Sequence, residues 1–264
     1  EVSIIIEEPE QIIFNEEDEL GNSSVNTEDI NCYGDCIGSM TVLVSNDLGA
    51  PFTDDAGQEY FEYNISMVNS DTTYTNYTGI FINLCAGIYN VEVNDSNYNS
   101  TPLTSNCSAT TNIVIVQPDS INFTLTPSIY ECLNISCYNG NDGSISIPNL
   151  TGGSGSFTYT WFSDLDNDGN YDEIPNSNNN NITQLSAGKY SVTVKDIFDC
   201  ESSQEIELFE PEESTILLNN SQNTSCYEGQ DGFINIDISG GCGNLIDSLY
   251  TVTWSGVNTL GEDI

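Results

Sequence analysis

The chain repeats itself, and this feature limits most strongly what it can fold into. The segment "CYNGNDGSISI" at 137–147 returns as "CYEGQDGFINI" at 226–236 and, in a looser form, as "CYGDCIGSMTV" at 32–42. In each copy a Cys-Tyr pair is followed by a glycine at the sixth position after the cysteine, and an alternating stretch then begins. Such self-similarity predicts a tandem array of one small structural unit.

Two further blocks recur in the same order. The stretch "TGGSGSFTYTW" at 151–161 matches "SGGCGNLIDSLYTVTW" at 239–254, with an insertion. The stretch "LSAGKYSVTVKDIFDC" at 185–200 matches "LCAGIYNVEVND" at 84–95. A proline occurs at the same position of each unit: Pro9, Pro118 and Pro211. We expect this position to be the junction between the last strand of one unit and the first strand of the next.

Every block alternates apolar and polar residues with period two, as in "FTYTW" and "YSVTVKD", and this pattern predicts half-buried β-strands. Gly-Gly and Asn/Asp-Gly pairs separate the strands as turn signals. Six or seven short strands per unit predict an all-β fold of tandem immunoglobulin-like β-sandwich domains joined end to end. The expected divisions are a closing strand of a preceding repeat at 1–9, a divergent repeat at 10–117, a repeat at 118–210 and an incomplete third repeat at 211–264.

The charge balance excludes several classes of partner. The sequence has two basic residues, Lys189 and Lys195, and 41 acidic ones, which gives a net charge of −39. A nucleic-acid binder needs many Lys and Arg side chains to displace phosphate counterions, and an anionic membrane surface repels so acidic a chain. No apolar run approaches the length of a membrane helix, so no membrane insertion by this segment is expected. The charge instead favours divalent cations that neutralise carboxylate clusters.

The composition also argues against an enzyme. The sequence contains no His and no Arg, which excludes His-based triads and arginine phosphate clamps. A pair of carboxylates can hydrolyse glycosides without His, but no Asp or Glu stands in a recognisable catalytic context. We therefore expect no catalytic residues in this chain.

The stretch "DLDNDGNYD" at 164–172 has the pattern of a cation loop. Carboxylates at alternate positions offer the oxygen ligands that calcium prefers, and Gly169 allows the sharp turn around the ion. We expect a structural Ca²⁺ here. The predicted ligands are Asp164, Asp166, Asp168, Asn170 through its backbone carbonyl, and Asp172, with Glu173 as a further oxygen.

Three other possibilities exist for this loop: an EF-hand, a magnesium site and a solvated turn. An EF-hand is disfavoured because position twelve is Pro175, where an EF-hand has Glu, and because no helices flank the loop. Magnesium is the second choice, since it prefers fewer protein ligands and more water. The third alternative is a solvated acidic turn, in which unliganded aspartates would repel one another.

Nine cysteines in so acidic a chain predict disulfides in an oxidising, extracellular setting rather than a zinc site. Cys36 and Cys85 are both missing at the matching positions of the second unit, which suggests that they pair. The cysteines that bound each repeat suggest two more bonds, Cys137–Cys200 and Cys32–Cys107. Sequence alone does not settle connectivity. Either Cys132 and Cys242 pair with each other across the junction between repeats, or Cys242 pairs with a cysteine in the missing half of its repeat. Cys226 is expected to pair with a cysteine beyond residue 264.

The unit "CYNGNDGSISIPNLTGG…FTYTW…ITQLSAGKYSVTVKDIFDC…IELFEP" resembles the SprB repeat of Bacteroidota surface adhesins. The likeness covers 132–211 well, 212–264 as a half repeat and 10–117 as a divergent repeat. Asp199 departs from the usual Gly before the final Cys, and the first unit lacks the tryptophan.

The resemblance implies an extracellular, cell-surface filament protein, secreted by the type IX system, that acts in adhesion or gliding motility. The expected role of this segment is a stalk stiffened by disulfides and calcium. Its expected partners are neighbouring repeats of the same chain, and surface polysaccharides or other filament copies. The alternatives are a carbohydrate-binding repeat that contacts polysaccharide directly and an accessory region of a secreted enzyme. Asp-Ser/Thr motifs resemble the O-glycosylation signal of Bacteroidota and mark three candidate sites: Thr72, Ser120 and Ser248.

Overall fold

A computed structural model describes residues 12–14, 25–44, 61–95, 108–242 and 250–256. Within these residues the fold is all-β, with antiparallel sheets and no α-helix. The chain divides into two compact units. The first comprises Glu1–Ser120 with Gly152–Gly155, and the second comprises Ile121–Thr151 with Ser156–Ile264. The predicted closing strand at 1–9 lies outside the described residues.

The first unit contains two antiparallel sheets, one of three strands in the order β1-β2-β5 and one of four strands in the order β4-β3-β6-β7. Both sheets contribute to one core, which includes Met40, Phe61 and Val91. The strands are β1 Val25–Glu28, β2 Gly38–Val42, β3 Phe61–Met67, β4 Thr73–Asn76, β5 Ile80–Leu84, β6 Gly87–Asp95 and β7 Ser108–Ile115.

The second unit contains the same two sheets built from equivalent strands, in the orders β14-β10-β9 and β13-β12-β15-β16, together with the two-stranded pairs β8–β11 and β17–β18. Its core includes Trp161, Tyr190 and Val192. The strands are β8 Asn122–Phe123, β9 Thr126–Pro127, β10 Gly143–Ser146, β11 Leu150–Thr151, β12 Thr158–Asp164, β13 Asp172–Glu173, β14 Asn181–Leu185, β15 Gly188–Lys195, β16 Glu201–Leu208, β17 Glu212–Gln222 and β18 Phe233–Gly241.

The period-two pattern sets which side chains form these cores. Along β2 and β15 buried positions alternate with half-exposed ones, because successive side chains of a strand point to opposite faces of its sheet. The predicted fold class is therefore confirmed: the chain is all-β, and in each unit two antiparallel sheets share one apolar core.

The two units also share an irregularity. The register of β2 against β5 shifts between Gly38 and Ser39, and that of β10 against β14 shifts between Gly143 and Ser144. On the partner strands Asn83 and Gln184 adopt positive φ angles of 59° and 62°. A non-glycine residue in this region is uncommon and marks a local bulge that both repeats preserve.

The strands β17 and β18 form a long ribbon at the start of the third repeat. Ile216 pairs with Ile238 in the same way that Phe123 pairs with Leu150 in the second repeat. Phe123 is only 2% exposed, whereas Ile216 is 69% exposed. The ribbon therefore has the same strand pairing as the first strands of the second repeat. Its face is exposed, however, whereas the equivalent face of the second repeat is buried.

Candidate metal loop and cysteine sites

The acidic loop connects two strands of the four-stranded sheet. β12 ends at Asp164 and β13 begins at Asp172, and the pair Ser163–Asp172 closes the hairpin between them. The loop is thus held at both ends by the ladder of the sheet, and its acidic residues are brought together by chain connectivity.

The carboxylates of Asp164, Asp166 and Asp168 come together. Each offers an oxygen, and these three oxygens lie within 4.8 Å of one another. Asp164 is only 2% exposed, whereas Asp166 and Asp168 are exposed. A half-enclosed group of three hard oxygen donors is the chemistry that suits a hard divalent cation.

Backbone amides fix the buried carboxylate. Asp168 N donates to Asp164 Oδ1 at 3.1 Å, and Gly169 N donates to Asp164 Oδ2 at 3.2 Å. Both oxygens of Asp164 therefore accept a hydrogen bond, which orients the group. The turn requires the backbone of Gly169, whose φ is +88°, and a Cβ at this position would meet nothing within 4 Å.

Asn170 fixes the second carboxylate. Its backbone N donates to Asp168 Oδ1 at 2.7 Å and its side-chain Nδ2 donates to Asp168 Oδ2 at 3.0 Å. Hydrogen bonds from the side chain and backbone of Asn170 lower the pKa of Asp168, so it stays ionised over a wide pH range. Lys189 Nζ donates to Asn167 Oδ1, outside the carboxylate group.

The predicted ligands are thus only partly brought together. Asp164, Asp166 and Asp168 form the group, while the side chain of Asn170 supports Asp168. Asp172 lies in β13 and is exposed, outside the group of three. The three carboxylates fit calcium in kind, since it prefers oxygen ligands.

Tyr171 is a loop residue that sequence reasoning missed. Its phenol interacts with the carboxylate of Glu205 on β16, two strands away from β12 in the sheet. Burial raises the pKa of the Tyr171 phenol, and Glu205, Asp164 and Glu207 raise it further. No local pattern predicts this contact, because it depends on which strand lies at the sheet edge.

Among the described residues, two disulfides can be assigned to both of their cysteines. Cys36 bonds to Cys85, the predicted pair, with Cα atoms 3.9 Å apart and a separation of 49 residues. Cys132 bonds to Cys242, one of the two arrangements that the sequence left open, with Cα atoms 5.8 Å apart and a separation of 110 residues. The second bond joins the loop before β10 to the residue directly after β18.

The predicted Cys137–Cys200 bond is not formed, because the two residues lie at opposite ends of the same sandwich. Ile135 N donates to Phe209 O, which places the Cys137 turn beside the start of β15. Cys200 directly precedes Glu201, which pairs with Lys195 at the end of β15. Eight residues of strand separate the two ends, about 26 Å at 3.3 Å per residue, and a disulfide needs Cα atoms within about 7 Å.

The other cysteines divide into bonded and free. Cys32 and Cys200 are disulfide-bonded. The predicted partner of Cys32, Cys107, lies outside the described residues, so that pairing stays a prediction. Cys137 and Cys226 are exposed thiols at equivalent repeat positions.

The Cys-Tyr segments form the same tight turn in the two later repeats. Gly140 N donates to Cys137 O at 2.9 Å, and Gly229 N donates to Cys226 O at 3.0 Å. The aspartate of each motif accepts from the residue before the cysteine: Ser136 N to Asp142 Oδ1 at 3.1 Å, and Ser225 N to Asp231 Oδ1 at 2.9 Å. These hydrogen bonds hold the turn and lower the pKa of both aspartates.

Two of the three candidate glycosylation residues can be placed. Thr72 and Ser120 are exposed, and Ser248 lies outside the described residues. Exposure is required for modification, and these sites stay predictions. Within the described ranges, no helix is long and apolar enough to cross a membrane.

Comparison with known proteins gives a family match and a number of similar solved structures. The sequence model of the family described as SprB repeat matches residues 132–164, so the predicted resemblance is confirmed there. SprB repeats belong to surface-exposed proteins and form a structural repeat family, not an enzyme family. None of the curated proteins matches the chain.

Two of the similar solved structures have low sequence identity to the chain. One contains the three N-terminal domains of the bacteriophage RB49 Highly Immunogenic Outer Capsid protein, at 14% identity and a TM-score of 0.39, covering 83% of this chain and 70% of that one. The other is Tp47, the 47-kilodalton lipoprotein of Treponema pallidum, at 12% identity and a TM-score of 0.24, covering 76% of this chain and 52% of that one.

Proposed function

From the SprB repeat at residues 132–164, we propose that this chain is a stalk segment of a long cell-surface adhesin filament. The family match is the observation that carries the proposal. The segment extends and displays the adhesive part of the protein, and its repeats are stabilised by disulfides and by calcium.

Burial of the repeat aromatics supports a structural role. Tyr63, Trp161 and Tyr190 are at most 2% exposed and form part of the cores of their sandwiches. Aromatic side chains that are buried in a core contribute to stability and are not available to stack on a ligand. A repeat that served mainly as a carbohydrate-binding module would instead present them on an outer sheet face.

The disulfides support the same role. The Cys132–Cys242 bond connects the second repeat to the end of the β18 strand that follows it. A covalent bond of this kind restrains the junction between two successive repeats. Without it, the two repeats would be joined only by the linker that contains Pro211. Disulfides also indicate an extracellular location, where thiols are oxidised. Export by the type IX system and a part in gliding motility belong to the proposal.

Calcium is proposed for the group formed by Asp164, Asp166 and Asp168. Three carboxylates this close repel one another, and a bound divalent cation would remove the repulsion and hold the hairpin in one conformation. The cation therefore has a structural role in the proposal and takes no part in catalysis. Neighbouring repeats of the same chain are the proposed partners, with other filament copies and surface polysaccharides as partners of the whole filament.

A domain-exchange experiment tests the stalk proposal. Residues 118–210 of the full-length protein are replaced on living cells by an unrelated β-sandwich of similar length. We expect adhesion to be retained, because a stalk requires only length and folding. A second strain with the same residues deleted controls for length, and surface antibody staining controls for display. Loss of adhesion in the exchanged strain at equal display would contradict the stalk role and favour direct binding by this repeat.

A further inference from the structure

A cleft opens on the first unit at the hairpin that joins β3 to β4. Its volume is about 180 Å³, and it lies between this hairpin, the end of β5 and the start of β6. Two aromatic rings line it: Tyr74, which is 54% exposed, and Tyr89, which is 2% exposed. The cleft thus combines an accessible ring face with a buried wall.

The polar groups that line the cleft are neutral. Ser70 and Thr72 contribute hydroxyls from the hairpin, and Asn83 contributes an amide from β5. No carboxylate is among its lining residues, although the chain has 41 acidic residues. Hydroxyl and amide groups can both donate and accept hydrogen bonds, so they suit a ligand that is rich in hydroxyls and has no charge.

The walls of the cleft are rigid. Cys85 lines it and is held by the disulfide to Cys36. The hydroxyl of Tyr89 donates to Cys85 O at 2.9 Å, so the second ring is fixed to the same residue. Asn83 lies in the bulge of β5, where its φ is 59°. Rigid walls lower the cost of ordering on binding.

We propose that this cleft binds a neutral sugar unit, with the ring of Tyr74 stacked on the apolar face of the sugar and with Ser70, Thr72 and Asn83 bonded to its hydroxyls. This binding activity goes beyond a stalk role and does not depend on it. It concerns the first repeat, outside the residues exchanged in the test of the stalk.

The equivalent place in the second unit has different chemistry. There the hairpin from β12 to β13 follows the strand that matches β3, and it carries Asp164, Asp166 and Asp168. The same hairpin therefore presents a neutral aromatic cleft in one repeat and an acidic loop in the next. A loop that varies while both sandwich cores persist is where a repeat can acquire a ligand site of its own.

The chain offers a matched pair of tyrosines for the test. Tyr77 is 62% exposed, lies just beyond β4 and donates its hydroxyl to Glu62 rather than lining the cleft. Isotopically labelled protein of residues 1–264 is titrated with glucose, galactose, mannose and N-acetylglucosamine while amide chemical shifts are recorded. At least one sugar should shift the amides of Thr72 and Asn83 with a Kd of about 1–10 mM, as expected for a small ligand in a shallow site.

The variants separate stacking from general damage. Tyr74→Ala should weaken binding about tenfold through loss of the ring contact, Tyr74→Phe should retain most of it, and Tyr77→Ala should leave it unchanged. Glucuronate, which carries a carboxylate, should bind more weakly than glucose because the chain is strongly anionic. The absence of any shift at these amides, equal effects of Tyr74→Ala and Tyr77→Ala, or tighter binding of glucuronate would each overturn the proposal.

A second titration distinguishes the source of the sugar. Disaccharides of the sugar that binds are compared with the monosaccharide. Equal or tighter binding of the disaccharide assigns the site to a unit within a polysaccharide, and binding of the monosaccharide alone assigns it to a free sugar. Either result supports the site, and failure of both ligands to shift the cleft amides overturns it.

Discussion

At the scale of single residues, the two units fill one core position in different ways. Trp161 pairs with Val192 across the sheet, and in the first unit Ile65 pairs with Val91 at the equivalent place. Both side chains are fully buried, but only the tryptophan adds a hydrogen bond, from Nε1 to Asn179 O at 2.9 Å. The missing tryptophan of the first repeat is thus replaced by a smaller apolar residue, and the core is kept.

Trp161 is expected to be the most costly single residue to truncate in the second repeat. Trp161→Ala should lower the free energy of unfolding by about 3–5 kcal/mol, since it leaves a large cavity and an unpaired carbonyl at Asn179. Urea unfolding followed by circular dichroism measures the change. Trp254→Ala is the control, because Trp254 is 58% exposed and its loss should cost no more than about 0.5 kcal/mol. Similar losses for both variants would show that Trp161 is not a core anchor.

At the scale of elements, turns and hairpins carry what distinguishes one repeat from another. The Cys-Tyr turn is held by Asp142 in the second repeat and by Asp231 in the third, with the same hydrogen bond. In the first repeat Ile37 takes this position and is 59% exposed, so the turn is not closed in that way. Strand patterns are common to all units, whereas the loops between the strands differ in chemistry and in length.

The acidic hairpin should be stabilised by calcium. With calcium at about 100 times its Kd, binding to the folded state adds about 2.7 kcal/mol, and a chelator should lower the melting temperature on the order of 10 °C. Differential scanning calorimetry of the protein with calcium and with EGTA measures the shift. The triple variant Asp164→Asn, Asp166→Asn, Asp168→Asn should lose the response to calcium.

Asp119→Asn is the matched control for this experiment, because Asp119 is exposed and its backbone carbonyl, not its carboxylate, accepts from Gly153 N. It should keep the full calcium response. Coincident melting curves with calcium and with EGTA would refute the metal site and leave the hairpin as a solvated acidic turn. A magnesium response equal to that of calcium would refute the assignment to calcium.

At the scale of the whole molecule, an all-β chain with a net charge of −39 must offset strong self-repulsion. Both lysines lie on β15, where Lys195 Nζ pairs with Glu201 at 2.9 Å and Lys189 bonds to Asn167. These few contacts do little against 41 acidic residues, so the apolar cores and the disulfides must outweigh the repulsion.

The Cys132–Cys242 bond should control the stability of the third-repeat ribbon. The double variant Cys132→Ser, Cys242→Ser removes a bond that closes a loop of 110 residues, which corresponds to about 4–5 kcal/mol of chain entropy. Hydrogen exchange followed by mass spectrometry should show faster exchange along β17 and β18. The double variant Cys36→Ser, Cys85→Ser serves as the control and should leave exchange in the ribbon unchanged. Unchanged exchange in the first variant would contradict a stabilising role for the bond.

The sequence by itself determined the repeat frame, the all-β class and the faces of the strands, because period-two alternation sets which side chains a strand buries. It also determined that Asp164, Asp166 and Asp168 are neighbours, since they lie within five residues of one chain turn. Only the tertiary structure decided what depends on strand pairing. It placed Cys137 and Cys200 at opposite ends of β15, brought Tyr171 to Glu205 on the sheet edge, and formed the cleft beside Tyr74. The physical reason is that a local pattern sets the face of a strand, while the ends and edges of a sheet are set by long-range pairing.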